Sequence, residues 1–102
     1  MRLATIDLGT NTVRLLVAEV GDGGRWRVVE QDQRITRLGE GLHASGVLGA
    51  EPMARTQRAV AAYVARATDL AAGAVHIVAT SAVREAANGH AFAASVEETT
   101  GR

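Results

Sequence analysis

A carboxylate, a glycine and three small polar residues follow one another near the start of the chain. Asp7 closes one apolar run, and Gly9-Thr10-Asn11-Thr12 separates that run from a second one. Gly9 allows the backbone to approach a ligand without a Cβ in the way, and the amides of the next three residues can form a concave set of donors for phosphate oxygens. A carboxylate beside phosphate requires a cation between them. Asp7 therefore predicts a hydrated Mg²⁺.

A second set of candidate residues lies far along the chain, at Thr80, Ser81 and Arg84. Thr80 and Ser81 precede a short helical pattern, and the unpaired amides and positive dipole end of a helix N-terminus attract anions. Arg84 lies about one turn into that helix, where its guanidinium can stabilise the charge that develops during phosphoryl transfer. The two sets together predict a phosphate site if the fold brings them to one place.

Each feature also has a purely structural interpretation. The four-residue insert is a plausible hairpin connection, and Asp7 can simply hydrogen-bond that turn. Thr80 or Ser81 can be an ordinary helix cap, and Arg84 a solvated arginine. Only convergence of the two sets on one edge of a sheet favours a binding site over these alternatives.

The hydrophobic pattern predicts an antiparallel three-stranded meander, followed by a helix and a fourth strand. Strands are expected at residues 2–8, 13–20 and 25–36, and the continuous hydrophobicity of the first indicates that both of its faces are covered. Residues 37–50 contain four glycines and are expected to form a loop. A fourth strand at 74–79 comes after a helix, and this crossover makes it parallel to the first strand.

The helix before the fourth strand is predicted to start at Pro52 and to end at Gly73 in a left-handed cap. Its apolar face comprises Met53, Val60, Val64, Ala67 and Ala71, opposite Arg55, Arg58, Arg66 and Asp69. A short helix at 81–87 and another at 90–100, with Phe92, Ala93 and Val96 inward, complete the prediction. Since parallel strands present their carboxyl ends at one edge, the Gly9 turn and the Thr80 helix are expected to face one pocket.

Composition excludes several classes of protein. The 102 residues are 47% hydrophobic, enough for one core, and the formal net charge is zero, so no nucleic-acid partner is expected. All eleven basic residues are arginines, and cysteine is absent, which excludes disulfides and thiol catalysis. No leader-like or long uncharged stretch is visible, so we expect a cytoplasmic protein with no membrane partner.

The two candidate segments carry a resemblance to a known family. Residues 5–17, from Thr5 to Val17, resemble the first phosphate-binding motif of the exopolyphosphatase and guanosine pentaphosphate phosphohydrolase (Ppx/GppA) family. Residues 78–89 resemble its second hallmark, and residues 37–42, Arg-Leu-Gly-Glu-Gly-Leu, resemble its loop before the first helix. The first motif is shared in outline with sugar kinases, chaperone ATPases and actin, whereas its combination with the second is specific.

The resemblance implies an α/β protein with the actin-like, ribonuclease-H-like ATPase fold, present in part. It also implies Mg²⁺-dependent hydrolysis of terminal phosphoanhydride bonds in polyphosphate or pppGpp. Matching residues are Asp7 near the metal, Gly9 to Thr12 as the backbone cradle, and Arg84 as the catalytic phosphate clamp. Arg14 matches a position that is often basic, although a strand residue there can face away.

The resemblance further implies that residues 1–102 are the N-terminal portion of a single domain, ending before the first lobe is complete. Family members continue with a fifth strand, a glutamate that activates water, and a second glycine-rich motif. We therefore expect negligible turnover by the isolated chain, and self-association, as a homodimer or edge to edge, along the fourth strand. An ATP-dependent kinase or chaperone-like ATPase of this fold, and a non-catalytic sensor of phosphorylated nucleotides, remain alternatives.

Overall fold

The computed structural model describes residues 1–79 and 81–100, without the side chains of Ser81, Ala82, Thr99 and Thr100. A 3₁₀ turn at Asp22–Gly24 joins the second and third strands. In chain order the elements are β1 (Arg2–Leu8), β2 (Thr12–Val20), β3 (Trp26–Ile35), α1 (Leu42–Ser45), α2 (Ala50–Asp69), β4 (Ala74–Ala79), α3 (Ser81–Glu85) and α4 (Gly89–Thr100).

The strands form one mixed sheet in the order β3-β2-β1-β4. β1 and β2 are antiparallel, as are β2 and β3, and a bulge interrupts the second pairing between Val17 and Ala18. β4 is parallel to β1, with Leu3 opposite Ala74. The predicted meander and the predicted parallel fourth strand are both confirmed.

The core lies on one face of this sheet. Side chains at alternate positions of β1 and β2 are buried, because α2 and α4 pack over them; they are Ala4, Ile6, Leu8, Val13, Leu15 and Val17. Phe92 and Val96 of α4 belong to the same buried cluster, as predicted. On the opposite face of β1, Thr5 is exposed. The prediction that both faces of β1 are covered is therefore wrong for the described residues.

Both ends of α2 differ from the prediction. The helix begins at Ala50, so Pro52 lies in the first turn, where its missing N–H leaves no helical hydrogen bond unmade. The left-handed residue after the helix is Ala71 (φ 59°) rather than Gly73. The Ala72 amide donates to the Ala67 carbonyl at 3.0 Å and the Ala71 amide to Thr68 at 2.9 Å. These bonds form a Schellman motif, which explains how a non-glycine residue is held there.

The segments flanking α2 contain more structure than the sequence predicted. Residues 37–50 are not all loop, because α1 forms one helical turn between Gly41 and Gly46, both in the left-handed region. α4 begins at Gly89, one residue earlier than expected. Asn88 ties this junction to the chain before α2: its side chain accepts from the Leu48 amide at 2.8 Å and donates to the Leu48 carbonyl at 3.1 Å.

Candidate phosphate-binding site

The two predicted segments follow neighbouring strands that end together. β1 and β4 are paired up to their last residues, with Leu8 opposite Ala79. Because the strands are parallel, the turn after Leu8 and the chain after Ala79 leave the same edge of the sheet. The predicted common edge is confirmed for the strand ends at Leu8 and Ala79.

Hydrogen bonds orient the backbone of the turn at residues 9–12. The Gly39 amide donates to the Thr10 carbonyl at 2.9 Å, and the amides of Thr36 and Arg37 both donate to the Asn11 carbonyl, at 3.0 and 3.1 Å. In a planar trans peptide the N–H points away from the preceding C=O. The amides of Asn11 and Thr12 therefore point away from the segment at residues 36–39. A row of donors on one side is the arrangement that binds phosphate oxygens.

Two glycines allow this close packing. A Cβ on Gly9 would lie 2.8 Å from the Thr12 carbonyl oxygen, the atom that accepts the Gly9 amide at 3.0 Å. A Cβ on Gly39 would lie 2.5 Å from Cγ2 of Thr10. Gly9 thus closes the turn through its own amide, and Gly39 lets the neighbouring segment approach it.

Asp7 presents a buried side-chain oxygen that none of the described residues hydrogen-bonds. Its Oδ1 is inaccessible to solvent and makes no hydrogen bond within the described part of the chain. A buried carboxylate oxygen in this state is costly unless a cation or donor meets it. For Oδ1, the interpretation that Asp7 merely hydrogen-bonds the turn is not supported. The residue fits Mg²⁺, which takes one or two carboxylates and completes its shell with water and phosphate oxygens.

Arg14 lies directly opposite Asp7 on β2, so the two side chains share one face of the sheet. It is exposed, and its Nε donates to Oε1 of Gln33 on β3 at 3.3 Å. The guanidinium is thus directed across the sheet to β3. Arg14 shares the sheet face of Asp7, but its guanidinium extends towards β3 and away from β1.

Arg84 is exposed on α3, the helix that follows the common edge. Its assignment as the phosphate clamp remains a prediction. Thr80 and the side chain of Ser81 lie outside the described residues, so their predicted roles have no structural counterpart here. Among the described residues, no group of three or more histidine, cysteine or acidic side chains is arranged to hold a metal ion. A metal at Asp7 would rely on ligand oxygens and water.

The sequence matched residues 37–42 to a family loop but assigned no supporting role to the residues that hold the turn. Thr36 and Leu38 are buried at 4% and 0% exposure, and they anchor residues 36–40 against the core. Arg55 of α2 donates through Nε to the Thr36 carbonyl at 2.9 Å and through an NH2 group to Glu40 at 3.0 Å. Gly39 was the available signal that this segment approaches another backbone.

A polar groove of about 490 Å³ lies elsewhere, between β3 and α2. Four of its polar side chains form two pairs: Tyr63 donates to Asp32 at 3.2 Å, and Arg66 makes a two-pronged contact with Glu30. These pairs join β3 to α2. None of the described helices is both long and apolar enough to cross a membrane.

The sequence of this chain is similar to phosphatases of one family. The sequence profile of the Ppx/GppA phosphatase family matches residues 16–102. "Exopolyphosphatase 2" of Mycobacterium tuberculosis is 42% identical over 98% of this chain and 32% of the relative. "Guanosine-5'-triphosphate,3'-diphosphate pyrophosphatase" of Pseudoalteromonas translucida is 35% identical over 96% of this chain and 20% of that protein.

Solved structures agree with the sequence comparison. The crystal structure of the Ppx/GppA family member from Aquifex aeolicus superposes with a TM-score of 0.94 at 31% identity, over all of this chain and 33% of that one. An exopolyphosphatase from Cytophaga hutchinsonii gives 0.89 at 26% identity, over 96% of this chain and 31% of that one. The predicted partial actin-like ATPase fold is confirmed. The chain spans at most a third of the length of these relatives.

Proposed function

Because the chain belongs to the Ppx/GppA phosphatase family, we propose that it contributes the first phosphate-binding turn to an enzyme that hydrolyses terminal phosphoanhydride bonds. The proposed substrates are inorganic polyphosphate, pppGpp or both, since the relatives carry the names of both activities. The observation that carries the proposal is the common end of β1 and β4, which brings the two motif segments to one edge.

Each residue has a distinct proposed role. The Asn11 and Thr12 amides bind phosphate oxygens, with Gly9 closing the turn and Thr10 holding it to residue 39. Asp7 binds a hydrated Mg²⁺ through its buried oxygen, and Arg14 adds positive charge on the same face. When bound, Mg²⁺ would neutralise charge on the phosphate oxygens. Thr80, Ser81 and Arg84 are proposed to bind phosphate from the second segment.

Phosphoryl transfer requires a held phosphate, neutralised charge and a water aligned for attack. The described residues provide groups for the first two requirements. We therefore expect the isolated 102-residue chain to bind phosphoanhydrides while releasing negligible phosphate from them.

Calorimetric titration with inorganic tripolyphosphate, with and without Mg²⁺, tests this function. We expect binding that is strengthened by Mg²⁺ in the unaltered chain, and loss of the Mg²⁺ effect in Asp7→Asn, which keeps the side-chain shape but removes the charge. Asp22→Asn, in the exposed 3₁₀ turn, is the matched control and should behave like the unaltered chain.

Two results would contradict the proposal. One is undetectable tripolyphosphate binding at millimolar concentration by a folded chain. The other is phosphate release from polyphosphate at an ordinary enzymatic rate by this chain alone, which would mean that the roles are wrongly divided. ATP titrated in parallel distinguishes the kinase-like alternative, which requires ATP to bind better than tripolyphosphate.

A further inference from the structure

Residues 36–40 lie between α2 and the proposed phosphate-binding turn at residues 9–12, and they contact both. One side of this segment donates three amides to the turn: those of Thr36 and Arg37 to Asn11, and that of Gly39 to Thr10. These contacts decide which way the carbonyls of the turn point. By peptide geometry they also decide where the Asn11 and Thr12 amides point.

The other side of the segment is held by one side chain. Arg55 donates through Nε to the Thr36 carbonyl at 2.9 Å and through its NH2 group to Oε1 of Glu40 at 3.0 Å. The Arg55 side chain is about two-thirds buried, with 32% of it exposed. A planar guanidinium can reach both acceptors at once, whereas a lysine ammonium is a single point charge.

Backbone strain indicates that this segment needs such support. Arg37, between the two Arg55 contacts, has a left-handed φ of 51°, which costs energy for a residue with a Cβ. Strained residues persist only where the surroundings hold them in place. Leu38 holds the segment from the core side, and Arg55 holds it from the helix side.

We propose that Arg55 is a positioning residue for phosphate binding, acting through residues 36–40 on the amides of Asn11 and Thr12. It does not touch the ligand. This inference rests on the proposed function, because the oriented amides matter for binding only if phosphate binds there.

The first test is amide hydrogen exchange in the 102-residue chain. Arg55→Ala is expected to accelerate exchange at Thr36, Arg37 and Gly39 by about tenfold, because the segment opens locally once its charge-assisted bonds are lost. The Ala72 amide, which donates to Ala67 at the far end of α2, should keep its protection and so report that the chain remains folded. Arg58→Ala, an exposed arginine one turn further along α2, is the matched control.

The second test is tripolyphosphate affinity in the presence of Mg²⁺. Arg55→Ala is expected to weaken binding by about tenfold, as loss of one charge-assisted hydrogen bond would do, while Arg58→Ala leaves it unchanged. Arg55→Lys keeps the charge and should retain the fold but restore affinity only in part. This variant keeps the test decisive if the alanine variant does not fold.

The outcomes distinguish the positioning role of Arg55 from the proposed phosphate-binding function. If the unaltered chain binds tripolyphosphate and Arg55→Ala binds it equally well, the positioning role is wrong and the proposed function stands. Unchanged exchange at Thr36, Arg37 and Gly39 in Arg55→Ala would also overturn it. If the unaltered chain does not bind, both proposals fail, and the exchange data then describe only a structural contact.

Discussion

Among the described glycines, Gly89 is the one with least room for a side chain. A Cβ there would lie 1.7 Å from the Val83 carbonyl oxygen, a backbone atom of α3 that cannot turn aside. The contact fixes how closely α4 starts beside α3. The residue is thus required by packing, although the sequence showed it only as an interruption between two helices.

We predict that Gly89→Ala destabilises the chain by about 3 kcal/mol, because the backbone of α3 or α4 must move to remove the overlap. Urea unfolding followed by circular dichroism measures the change. Gly21→Ala is the control, since its Cβ would lie 3.8 Å from the nearest atom, an ordinary contact. Equal stability of the two variants would show that the α3–α4 junction adapts freely.

At the same scale, the sequence identified Asp7 and Gly9 because their residue types are unusual at the end of an apolar strand. It did not identify Arg55, which it placed on the polar face of a helix. Helical periodicity distinguishes buried from exposed positions, but a partly buried arginine that bonds a distant carbonyl has no periodic signature. Its role depends on where residues 36–40 pass, which only tertiary structure specifies.

Helix α2 and strand β3 are joined by a tyrosine–aspartate contact. Tyr63 is 2% exposed and donates to Asp32 at 3.2 Å, and the Arg34 guanidinium lies 5.2 Å from its ring centre. Burial, and then the neighbouring Asp32 carboxylate, raise the pKa of Tyr63 from 10.0 to about 12. The neutral phenol is therefore the form that the folded state favours.

Because Tyr63 is the single tyrosine, its ionisation can be followed directly by ultraviolet absorbance. We expect an apparent pKa near 12 in the folded chain, near 10 in urea, and a lowered value in Asp32→Asn. The neutral Tyr63 phenol contributes at most about 3 kcal/mol to the free energy of unfolding. This contribution is fully present below about pH 10 and is lost as the pH rises through 12. A folded-state pKa equal to that in urea would contradict the buried contact.

The C-terminal end of α2 offers a stabilising substitution. Ala71 adopts a left-handed conformation that glycine tolerates without strain, and it is exposed, so little packing is lost. We predict that Ala71→Gly stabilises the chain by about 0.5 kcal/mol, since the strain relieved exceeds the entropy glycine adds to the unfolded state. Thermal unfolding measures the shift. A lower midpoint would mean that Ala71 makes packing contacts that outweigh its strain.

The strands were predictable almost residue by residue. β1, β2 and β4 are apolar runs bounded by glycine or polar residues, whereas the largely polar β3 was indicated by its alternating pattern after a glycine-rich turn. Helix ends were less so. Gly73 looked like a cap by type, yet the Schellman hydrogen bonds close at Ala71, and Pro52 marked the first turn rather than the first residue. The C-terminal end of α2 depends on where the chain must leave the helix to enter β4, which tertiary structure determines.

For the molecule as a whole, β4 is an outer strand of the sheet, as the sequence predicted. Val78 on this strand is 52% exposed, and the formal net charge is zero, so electrostatic repulsion between copies is weak. An exposed apolar outer strand is a template for pairing with another chain. We propose that the isolated chain self-associates along β4.

Light scattering as a function of concentration tests this proposal. We expect a rise in mean mass that Val78→Lys suppresses, because a charge on an edge strand opposes pairing. Val28→Lys, on β3 at the opposite side of the sheet, is the matched control and should leave association unchanged. A monomer at high concentration, or equal suppression by both variants, would contradict association through β4.

The position of β1 between β2 and β4 also has a kinetic consequence. The β1–β2 contacts join residues that are close in sequence, such as Leu8 and Val13. The β1–β4 contacts join residues far apart in sequence, such as Leu3 and Ala74, with α2 between them. Closing the longer loop costs more chain entropy, so the hairpin should form early and the parallel pairing late. The β1–β4 pairing, which brings the two motif segments together, should therefore be among the last contacts to form during folding. A chain that has formed only the β1–β2 hairpin has no assembled phosphate site.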